Sequence, residues 1–234
     1  GKNQMNAIIL AAGLGSRFKD VTKKIHKSLL PINGIPNIEN TIQNLIEAGI
    51  DDIYIVTGHL SEQFSYLKEK YKCKILNNEK YKEFNNIYSF YKAINHFGDS
   101  FVIDSDVVIF KNIFIGRPKT SLYFLITRPK SNKEEWIPII KKDKIDNIIV
   151  SNDYLPSLLG ISYWSKSDAK KIKEHIHKFM EKNILLDNSL YWDNIPMQIL
   201  SDLNVGYKEL SIHDAYEIDS IEEYHFALTL NHKN

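Results

Sequence analysis

The stretch Asn6-Ala-Ile-Ile-Leu-Ala-Ala-Gly-Leu-Gly-Ser-Arg17 decides the fold, because an apolar strand runs directly into a glycine turn that ends on an arginine. Gly13 and Gly15 can adopt positive φ angles and let backbone N–H groups approach an anion closely. Arg17 adds a permanent charge with forked donors. The segment lacks the third glycine of a G-x-G-x-x-G fingerprint and the G-K-[ST] of a P-loop. It therefore predicts a polyphosphate site of another kind, although the turn alone would equally fit a plain strand-to-helix connection.

Composition sets the size of the domain and excludes a global charge effect. The chain has 234 residues, of which 43% are hydrophobic and 25% charged, enough to bury a sizeable core as one domain. Thirty Lys and Arg residues against 29 Asp and Glu leave a net charge of +1. No overall field therefore favours nucleic acid or an anionic membrane, and we expect neither as a partner. Any phosphate-binding charge must be local.

Cysteine content and hydropathy bear on the compartment. The single cysteine, Cys73, excludes an internal disulfide, fits a reducing compartment and is expected to be a small core residue. No apolar run approaches the roughly 18 residues of a membrane span, and the N-terminus lacks the apolar segment of a signal peptide. The sequence therefore predicts a soluble cytoplasmic protein without membrane insertion.

Short β-rich runs alternate with helical patterns in the first half of the chain. The strand candidates are residues 6–12, 53–57, 74–77 and 101–104. The helix candidates are 38–46, which Gly49 ends, 61–71 and 86–97. This alternation predicts a mostly parallel sheet with helices on both faces, which binds ligands at the carboxyl ends of its strands. Gly13 to Arg17 and Asp104 to Asp106 should then share one edge.

The pattern changes after Lys111. Strand candidates at 121–127, 136–141, 145–150 and 158–164 are separated by turn-rich or charged segments, and we expect them to form an antiparallel lid over that edge. Ser165 with Asp168 predicts a capped helix, and Ser220 with Glu223 predicts a last helix that runs to Leu230.

A second motif turns the glycine segment into a specific signal. In His26-Lys27-Ser28-Leu29-Leu30-Pro31, a lysine stands ten residues past Arg17 at the start of another apolar run. The pair of motifs resembles the opening of the sugar-phosphate and phospho-alcohol nucleotidyltransferases, A-A-G-x-G-x-R followed by a lysine. Three later segments resemble the bacterial phosphocholine cytidylyltransferases of the LicC type: NNEKYKEFNNIYSFYKA (77–93), FVIDSDVVIFKNIF (101–114), and LYWDNIP with YEIDSIEEY (190–196 and 216–224). The resemblance covers nearly the whole chain.

The resemblance implies an α/β fold, with a mostly parallel, Rossmann-like nucleotidyltransferase sheet, helices on both faces and a smaller antiparallel lid. It implies a single domain over residues 1–234, with a nucleotide-binding core at about 5–115 and a lid and acceptor-binding part at about 116–234. The oligomeric state stays open, with a homodimer among the candidates. The nucleotide-binding residues implied are Leu10, Ala11, Ala12, Gly13, Leu14, Gly15, Ser16, Arg17, Lys27, Asn85 and Ser89.

Two acidic pairs suggest a metal site. Asp104-Ser-Asp106 follows the apolar strand 101–103, so its carboxylates should emerge where a hard cation bound to triphosphate could sit. Glu217-Ile-Asp219 places two carboxylates on one face if the segment is extended. In the family that the chain resembles, the residues matching Asp106, Glu217 and Asp219 hold Mg²⁺, and we expect the same ligands here. Asp104 and Asp219 also fit capping or turn roles.

Aromatic residues near a carboxylate suggest the acceptor. A quaternary ammonium has no N–H to donate and is best held by aromatic faces. The resemblance assigns Trp136, Tyr191, Trp192 and Asp193 to a choline head group, and Asn86 and Tyr88 to the substrate pocket. Trp164, which ends a strand candidate, is expected to pack in the core.

The predicted chemistry is phosphoryl transfer between two anions. A phosphate oxygen of phosphocholine would attack the α-phosphorus of CTP, giving CDP-choline and pyrophosphate, with Arg17, Lys27 and Asp106 as the catalytic residues. Three alternatives remain open. They are a cytidylyltransferase for phosphoethanolamine or 2-aminoethylphosphonate, a sugar-1-phosphate nucleotidyltransferase, and a nucleotide-binding module without turnover.

Overall fold

The computed structural model describes residues 4–18 and 20–230, apart from the side chain at position 22. Its strands are β1 (Asn6–Ala11), β2 (Pro31–Ile32), β3 (Ile35–Pro36), β4 (Ile53–Thr57), β5 (Lys74–Asn77), β6 (Ser100–Asp104), β7 (Val107–Ile109), β8 (Ser121–Ile126), β9 (Glu135–Lys141), β10 (Lys144–Ser151), β11 (Ser157–Trp164), β12 (Val205–Leu210) and β13 (Ala215–Glu217). Its α-helices are α1 (Val21–Lys24), α2 (Asn37–Glu47), α3 (Leu67–Tyr71), α4 (Asn86–Lys92), α5 (Lys166–His175), α6 (Lys182–Leu185), α7 (Asn194–Met197) and α8 (Ile221–Leu230). Short 3₁₀ helices occupy Ser16–Phe18, Lys27–Leu29, Ser61–Phe64, Ile94–His96, Ile176–Phe179 and Leu200–Asp202.

Seven strands form the central sheet in the order β12-β8-β11-β6-β1-β4-β5. The pairs β6–β1, β1–β4, β4–β5 and β12–β8 are parallel, whereas β11 is antiparallel to both of its neighbours. The α/β class and the mostly parallel sheet predicted from the sequence are confirmed. β5 and β12 form the two edges of the sheet.

Burial along β1 shows why this strand lies inside the sheet. All six residues from Asn6 to Ala11 are buried. Ala7, Ile9 and Ala11 pack into one hydrophobic cluster, while Ile8 and Leu10 pack into a second. Because alternate residues of a strand point to opposite faces, a continuous apolar run requires cover on both sides.

Two predicted helices are shorter than the sequence pattern suggested. The segment 61–71 divides into a 3₁₀ turn and α3, separated by Ser65 and Tyr66. The Tyr66 hydroxyl donates to the buried Glu39 carboxylate of α2 at 2.6 Å, which joins this segment to α2. The segment 86–97 likewise divides into α4 and a 3₁₀ turn. By contrast, α2 closely matches its pattern and is followed by Gly49 at φ +87°.

The lid is smaller than predicted. Of the four strands predicted for the lid, β9 and β10 form a separate antiparallel hairpin, whereas β8 and β11 belong to the central sheet. Their partners, β12 and β6, are distant in the sequence, and the local apolar pattern carries no information about such pairing. The hairpin has few contacts with the sheet beyond those to β11 and β12.

The predicted caps of the late helices are present with altered partners. Ser165 Oγ accepts from the Asp168 amide at 3.1 Å, but the Asp168 carboxylate accepts from Ser121 Oγ instead of completing the box. Ser220 Oγ accepts from the Glu223 amide at 3.1 Å. No helix among residues 4–18 and 20–230 is long and apolar enough to cross a membrane.

Candidate active site

A cavity of about 690 Å³ lies at the carboxyl ends of β1 and β6, bordered by the β9–β10 hairpin. All residues predicted for the site except Ala11, Leu14 and Tyr88 line this cavity. Ala11 is buried within β1, and Leu14 is exposed on the loop. The Tyr88 hydroxyl donates to Glu79 Oε1 at 3.0 Å on the surface. The two halves of the sequence that carried the motifs therefore meet in one place.

The glycine loop forms the wall at the end of β1. Gly15 has φ +63°, the left-handed region that favours glycine. The loop then turns into the 3₁₀ helix Ser16–Phe18, where the amide of Phe18 donates to the Gly15 carbonyl at 3.0 Å. Phe18 is buried in the core and anchors the loop, while Arg17 is exposed at the cavity.

The lysine motif is held by a buried histidine. His26 Nδ1 accepts from the Ser28 amide at 3.0 Å, which caps the 3₁₀ turn carrying Lys27. Burial, reinforced by the neighbouring Lys27 charge, lowers the pKa of His26 to about 3, so the imidazole is neutral. Ser28 Oγ and Ser105 Oγ share a hydrogen bond of 2.5 Å that ties the motif to the end of β6. His26 is thus a structural residue that places Lys27.

Lys27 lies against the acidic residues. Its Nζ donates to Asp106 Oδ2 at 3.0 Å, and both side chains are largely buried. Although burial disfavours the charged amine, Asp106 and then Asp219 raise the pKa of Lys27 above its usual value. The amine is therefore a fixed positive charge beside the cavity.

Three carboxylates converge next to this lysine. One oxygen from each of Asp104, Asp106 and Glu217 lies within 4.8 Å of the others, a separation compatible with one shared cation. Asp106 Oδ1 is buried and has no hydrogen-bond partner among the described residues. A buried oxygen without a partner is costly, and a bound cation would satisfy it.

Crowding of the acids affects their protonation. Burial and then the charges of Asp106 and Asp193 raise the pKa of Asp104 well above its usual range, and burial with Asp219 does the same for Glu217. For Asp106, burial outweighs the stabilising Lys27 charge and raises the pKa to about 6. Asp219 differs, because Lys27 and Lys133 overcome burial and lower its pKa to about 2.

Two cations from the lid side complete the network, and sequence reasoning missed both. Arg128 is buried and donates to Glu217 Oε1 at 2.9 Å and to Ser157 Oγ at 2.5 Å. Lys133 Nζ donates to Asp219 Oδ2 at 3.0 Å and to Glu223 Oε2 at 3.3 Å. Both lie in a charged segment that looked like a surface turn, so no pattern marked them. Asp104 was also absent from the predicted ligands, although its pairing with Asp106 was visible.

Aromatic residues also line the cavity. Trp136 of β9 meets Tyr191 edge to face, with ring centroids 5.4 Å apart. Trp192 lines the cavity but is only 2% exposed, stacked on Phe90 at 4.6 Å and edge-on to Trp164 at 5.8 Å. Trp164 itself is fully buried, as predicted. Trp136 and Tyr191 therefore offer the accessible aromatic surface.

The half-buried carboxylate of Asp193 lines the same cavity. Asp193 Oδ1 accepts from the Tyr123 hydroxyl at 2.8 Å. Burial raises the pKa of Asp193 to about 6, against the opposing effect of the Tyr123 hydrogen bond. Tyr123 on β8 was not predicted, because its sequence context is that of an ordinary core strand. The charge of Asp193 contributes to raising the pKa of Asp104, so these two carboxylates influence each other across the cavity.

The asparagines and the serine of the NNIYS motif are engaged by the protein itself. Asn85 caps α4 and donates from Nδ2 to the carbonyls of Ile184 and Asp187, both at 2.9 Å. Asn86 Oδ1 accepts from the Trp192 amide at 2.7 Å. Ser89 Oγ accepts from Asn78 at 2.9 Å. These contacts fix the aromatic segment to α4, while the three side chains still line the cavity.

The cavity thus offers two kinds of chemistry. Backbone amides, Arg17 and Lys27 can bind a polyphosphate, and the carboxylates of Asp104, Asp106 and Glu217 offer hard oxygen ligands to a cation. Aromatic rings and Asp193 on the same cavity can bind an organic cation. Such an arrangement can bring together two phosphorylated molecules.

Comparison with known proteins agrees with this geometry. Residues 7–117 match the model of the MobA-like NTP transferase domain. A choline-phosphate cytidylyltransferase of Haemophilus influenzae is 47% identical over 225 residues, covering 96% of each chain. A 2-aminoethylphosphonate cytidylyltransferase of Lancefieldella rimae is 34% identical and covers 93% of this chain and 89% of its own.

A solved structure gives the same relationship. The CTP:phosphocholine cytidylyltransferase LicC of Streptococcus pneumoniae superposes with a TM-score of 0.91 and is 38% identical, covering 97% of this chain and 99% of its own. Identity at this level over the full length of both chains establishes common descent as well as a common fold. The chain belongs to the choline-phosphate cytidylyltransferase family of nucleotidyltransferases.

Proposed function

We propose that this chain transfers the cytidylyl group of CTP to phosphocholine, forming CDP-choline and pyrophosphate with Mg²⁺ as cofactor. The observation that carries the proposal is one cavity with a phosphate-binding loop, a buried Lys27–Asp106 pair and a Trp136–Tyr191 aromatic pair beside Asp193. The full-length relatives named as choline-phosphate cytidylyltransferases support it.

The acidic residues fit a divalent cation. Asp106, Glu217 and Asp219 are the proposed ligands, and Asp104 adds a fourth carboxylate close to Asp106 and Glu217. The unpartnered Oδ1 of Asp106 is the observation that supports this fit. When bound, Mg²⁺ would neutralise phosphoryl oxygens of both substrates.

The protein's own groups act on the triphosphate by charge and position. Amides from Gly13 to Ser16 and the Arg17 guanidinium would bind its oxygens, and Lys27 would stabilise the charge that develops on pyrophosphate. A phosphocholine oxygen forms the new bond to the α-phosphorus as the bond to the leaving pyrophosphate breaks. The attacking phosphate is already anionic, so no side chain has to take a proton from it.

Trp136, Tyr191 and Asp193 would bind the choline head group, with rings against its methyl groups and the carboxylate balancing its charge. Trp192 would support this wall from within the core.

A primary-amine acceptor is the second candidate. Asp104 and Asp193 are two half-buried carboxylates on the cavity, and an ammonium group with N–H donors could pair with either. The relative of Lancefieldella rimae, named for 2-aminoethylphosphonate, favours the same alternative. No comparable observation favours a sugar phosphate, and the joint presence of Arg17, Lys27 and Asp106 opposes a module without turnover.

A pyrophosphate-release assay with four nucleoside triphosphates and a panel of acceptors tests the proposal. The panel contains phosphocholine, phosphoethanolamine, 2-aminoethylphosphonate and glucose 1-phosphate. We expect CTP with phosphocholine to give the highest kcat/KM. A tenfold preference for a primary amine would replace phosphocholine by the rival acceptor, and absence of turnover with every pair would refute the enzymatic function.

The remaining proposals concern organisation. We propose that the chain works as one domain, with residues 5–115 binding the nucleotide and residues 116–234 supplying the lid and the acceptor site, and that it acts in the cytoplasm. Light scattering at the concentration used for the activity assay would show whether the chain forms a homodimer.

A further inference from the structure

Gly160 lies where the acidic residues converge. It belongs to β11 and has φ +112°, a backbone conformation that side chains other than glycine rarely adopt. The pairing of Ile161 with Ile103 places Gly160 beside Asp104, and the register between β11 and β8 shifts in the same stretch, between Leu158 and Ser162. A glycine at an irregular point inside a strand often marks a close approach of other groups.

The space above Gly160 is filled by two of the carboxylates. A Cβ atom built on this residue would lie 3.0 Å from Glu217 Oε2, 3.1 Å from Asp104 Oδ2 and 3.0 Å from Val107 Cγ2. Val107 is fully buried and has little room to move. The carboxylates, at the ends of rotatable side chains, would have to move by a few tenths of an ångström.

We propose that Gly160 is a positioning residue that keeps the carboxylates of Asp104 and Glu217 close enough to share one divalent cation. Its hydrogen atom lets both acids approach the β11 backbone from β6 and β13, and any side chain would separate them. The inference rests on the proposed function, because it requires a metal site. Gly160 itself has no ligand atom, but it would set the distance between two carboxylates of that site.

The experiment compares Gly160→Ala with Gly116→Ala in the full chain. Gly116 also has a positive φ, +85°, but a Cβ there would meet nothing within 4 Å, so its variant carries backbone strain without the contact. Binding of Mn²⁺ is measured directly by electron paramagnetic resonance, with thermal unfolding as the stability control. We expect Gly160→Ala to weaken Mn²⁺ binding by about 10- to 100-fold, the usual effect of disturbing residues around a metal's ligands, and Gly116→Ala to leave it within about twofold.

A second pair of variants tests whether weaker Mn²⁺ binding comes from displaced carboxylates or from strain against the core. Val107→Ala removes the rigid contact, so Val107→Ala/Gly160→Ala keeps the backbone strain and the contact with the two carboxylates but not the contact with the core. We expect the double variant to bind Mn²⁺ about tenfold or more weakly than Val107→Ala alone, because Asp104 and Glu217 remain displaced. Equal affinities in these two proteins would show that the carboxylates are not affected and would overturn the inference.

The controls distinguish failure of the inference from failure of the proposed function. Wild-type affinity in Gly160→Ala overturns the inference, whereas absence of both Mn²⁺ binding and turnover in the wild type refutes the proposed function. A wild type that turns over without binding free Mn²⁺ also overturns the inference, because the carboxylates would then not form a site by themselves.

Discussion

The Asp193 carboxylate couples acceptor binding to pH. Burial raises its pKa to about 6, so its negative charge is present above that pH and is lost as the pH falls through it. A cationic head group gains from this carboxylate only in its charged form. The same pH range changes Asp106, whose pKa is also raised to about 6, and the phosphate of the acceptor. An experiment that measures the effect of the Asp193 charge must therefore account for the titration of Asp106 and of the acceptor phosphate.

We expect the kcat/KM ratio of phosphocholine to its uncharged carbon isostere, 3,3-dimethylbutyl phosphate, to fall roughly tenfold from pH 7 to pH 5, because Asp193 loses its charge. The effect of Asp106 cancels in the ratio, but the ammonium group lowers the pKa of phosphocholine's phosphate relative to that of the isostere. Asp193→Asn should give a low ratio whose remaining pH dependence reports this difference between the two phosphates. The same pH dependence in the wild type and in Asp193→Asn would mean that Asp193 does not face the head group.

Tyr191 and Trp192 are adjacent in sequence but differ in role. Tyr191 is 45% exposed, whereas Trp192 is stacked within the core. Tyr191→Leu should lower kcat/KM for phosphocholine about 5- to 30-fold, the effect of about 1–2 kcal/mol of cation–π energy, with little change in Tm. Trp192→Leu should instead lower the free energy of unfolding by about 2 kcal/mol or more, because it leaves a cavity against Phe90.

Thermal unfolding and steady-state kinetics of the two proteins, with 3,3-dimethylbutyl phosphate as the uncharged acceptor, test this division. If Trp192→Leu kept wild-type stability and lost only activity with phosphocholine, Trp192 would belong to the cage that the sequence suggested.

At the scale of elements, Lys133 adds an ionic contact at the base of the β9–β10 hairpin, whose Ile145 and Ile148 pack in the core. Lys133 precedes β9 and contacts Asp219 and Glu223, next to the start of α8. We expect Lys133→Met to increase amide exchange in residues 135–151 about 2- to 5-fold, since partly exposed ion pairs contribute up to about 1 kcal/mol. The matched control is Lys141→Met, which removes an exposed pair with Asp146 inside the hairpin. Equal exchange in the two variants would show that Lys133 does not hold the hairpin.

Helices and strands whose causes are local in the sequence were predicted correctly, whereas features that depend on distant residues were not. β1, β4 and α2 follow from apolar periodicity and from glycine, and they match the prediction closely. The bond between Tyr66 and Glu39 joins distant residues, and the local pattern could not show it. The same applies to β8 and β11, whose partners decide that they join the central sheet.

For the whole molecule, the site concentrates charge that the net charge of +1 conceals. The motifs placed Gly13, Lys27 and Asp106 in one cavity because strand ends in a parallel sheet share an edge. Arg128 and Lys133 could not be predicted, because their charges neutralise acids that are remote in the sequence. Ion pairs between residues that are distant in the sequence form only in the folded state and produce no recognisable sequence pattern.

A cation that binds only the folded state should stabilise the whole chain. At 100 times its Kd, such a ligand adds about 2.7 kcal/mol, which corresponds to roughly 5–10 °C in Tm for a chain of this size. We expect Mn²⁺ to give a shift of this order, and Asp106→Ala to abolish it and to lower kcat by at least about 10²-fold. Asp146→Ala, on the exposed hairpin, should behave as wild type. A full shift in Asp106→Ala would remove Asp106 from the ligands.

The two edge strands of the central sheet have a consequence for behaviour in solution. β5 carries Lys74, which pairs with Asp52, and β12 carries the exposed Lys208 and Glu209. Unpaired strand edges invite strands from other molecules, and charged side chains there make such growth unfavourable. Concentrated preparations should therefore resist conversion to β-rich fibrils, and neutralising Lys74 and Lys208 should weaken that resistance.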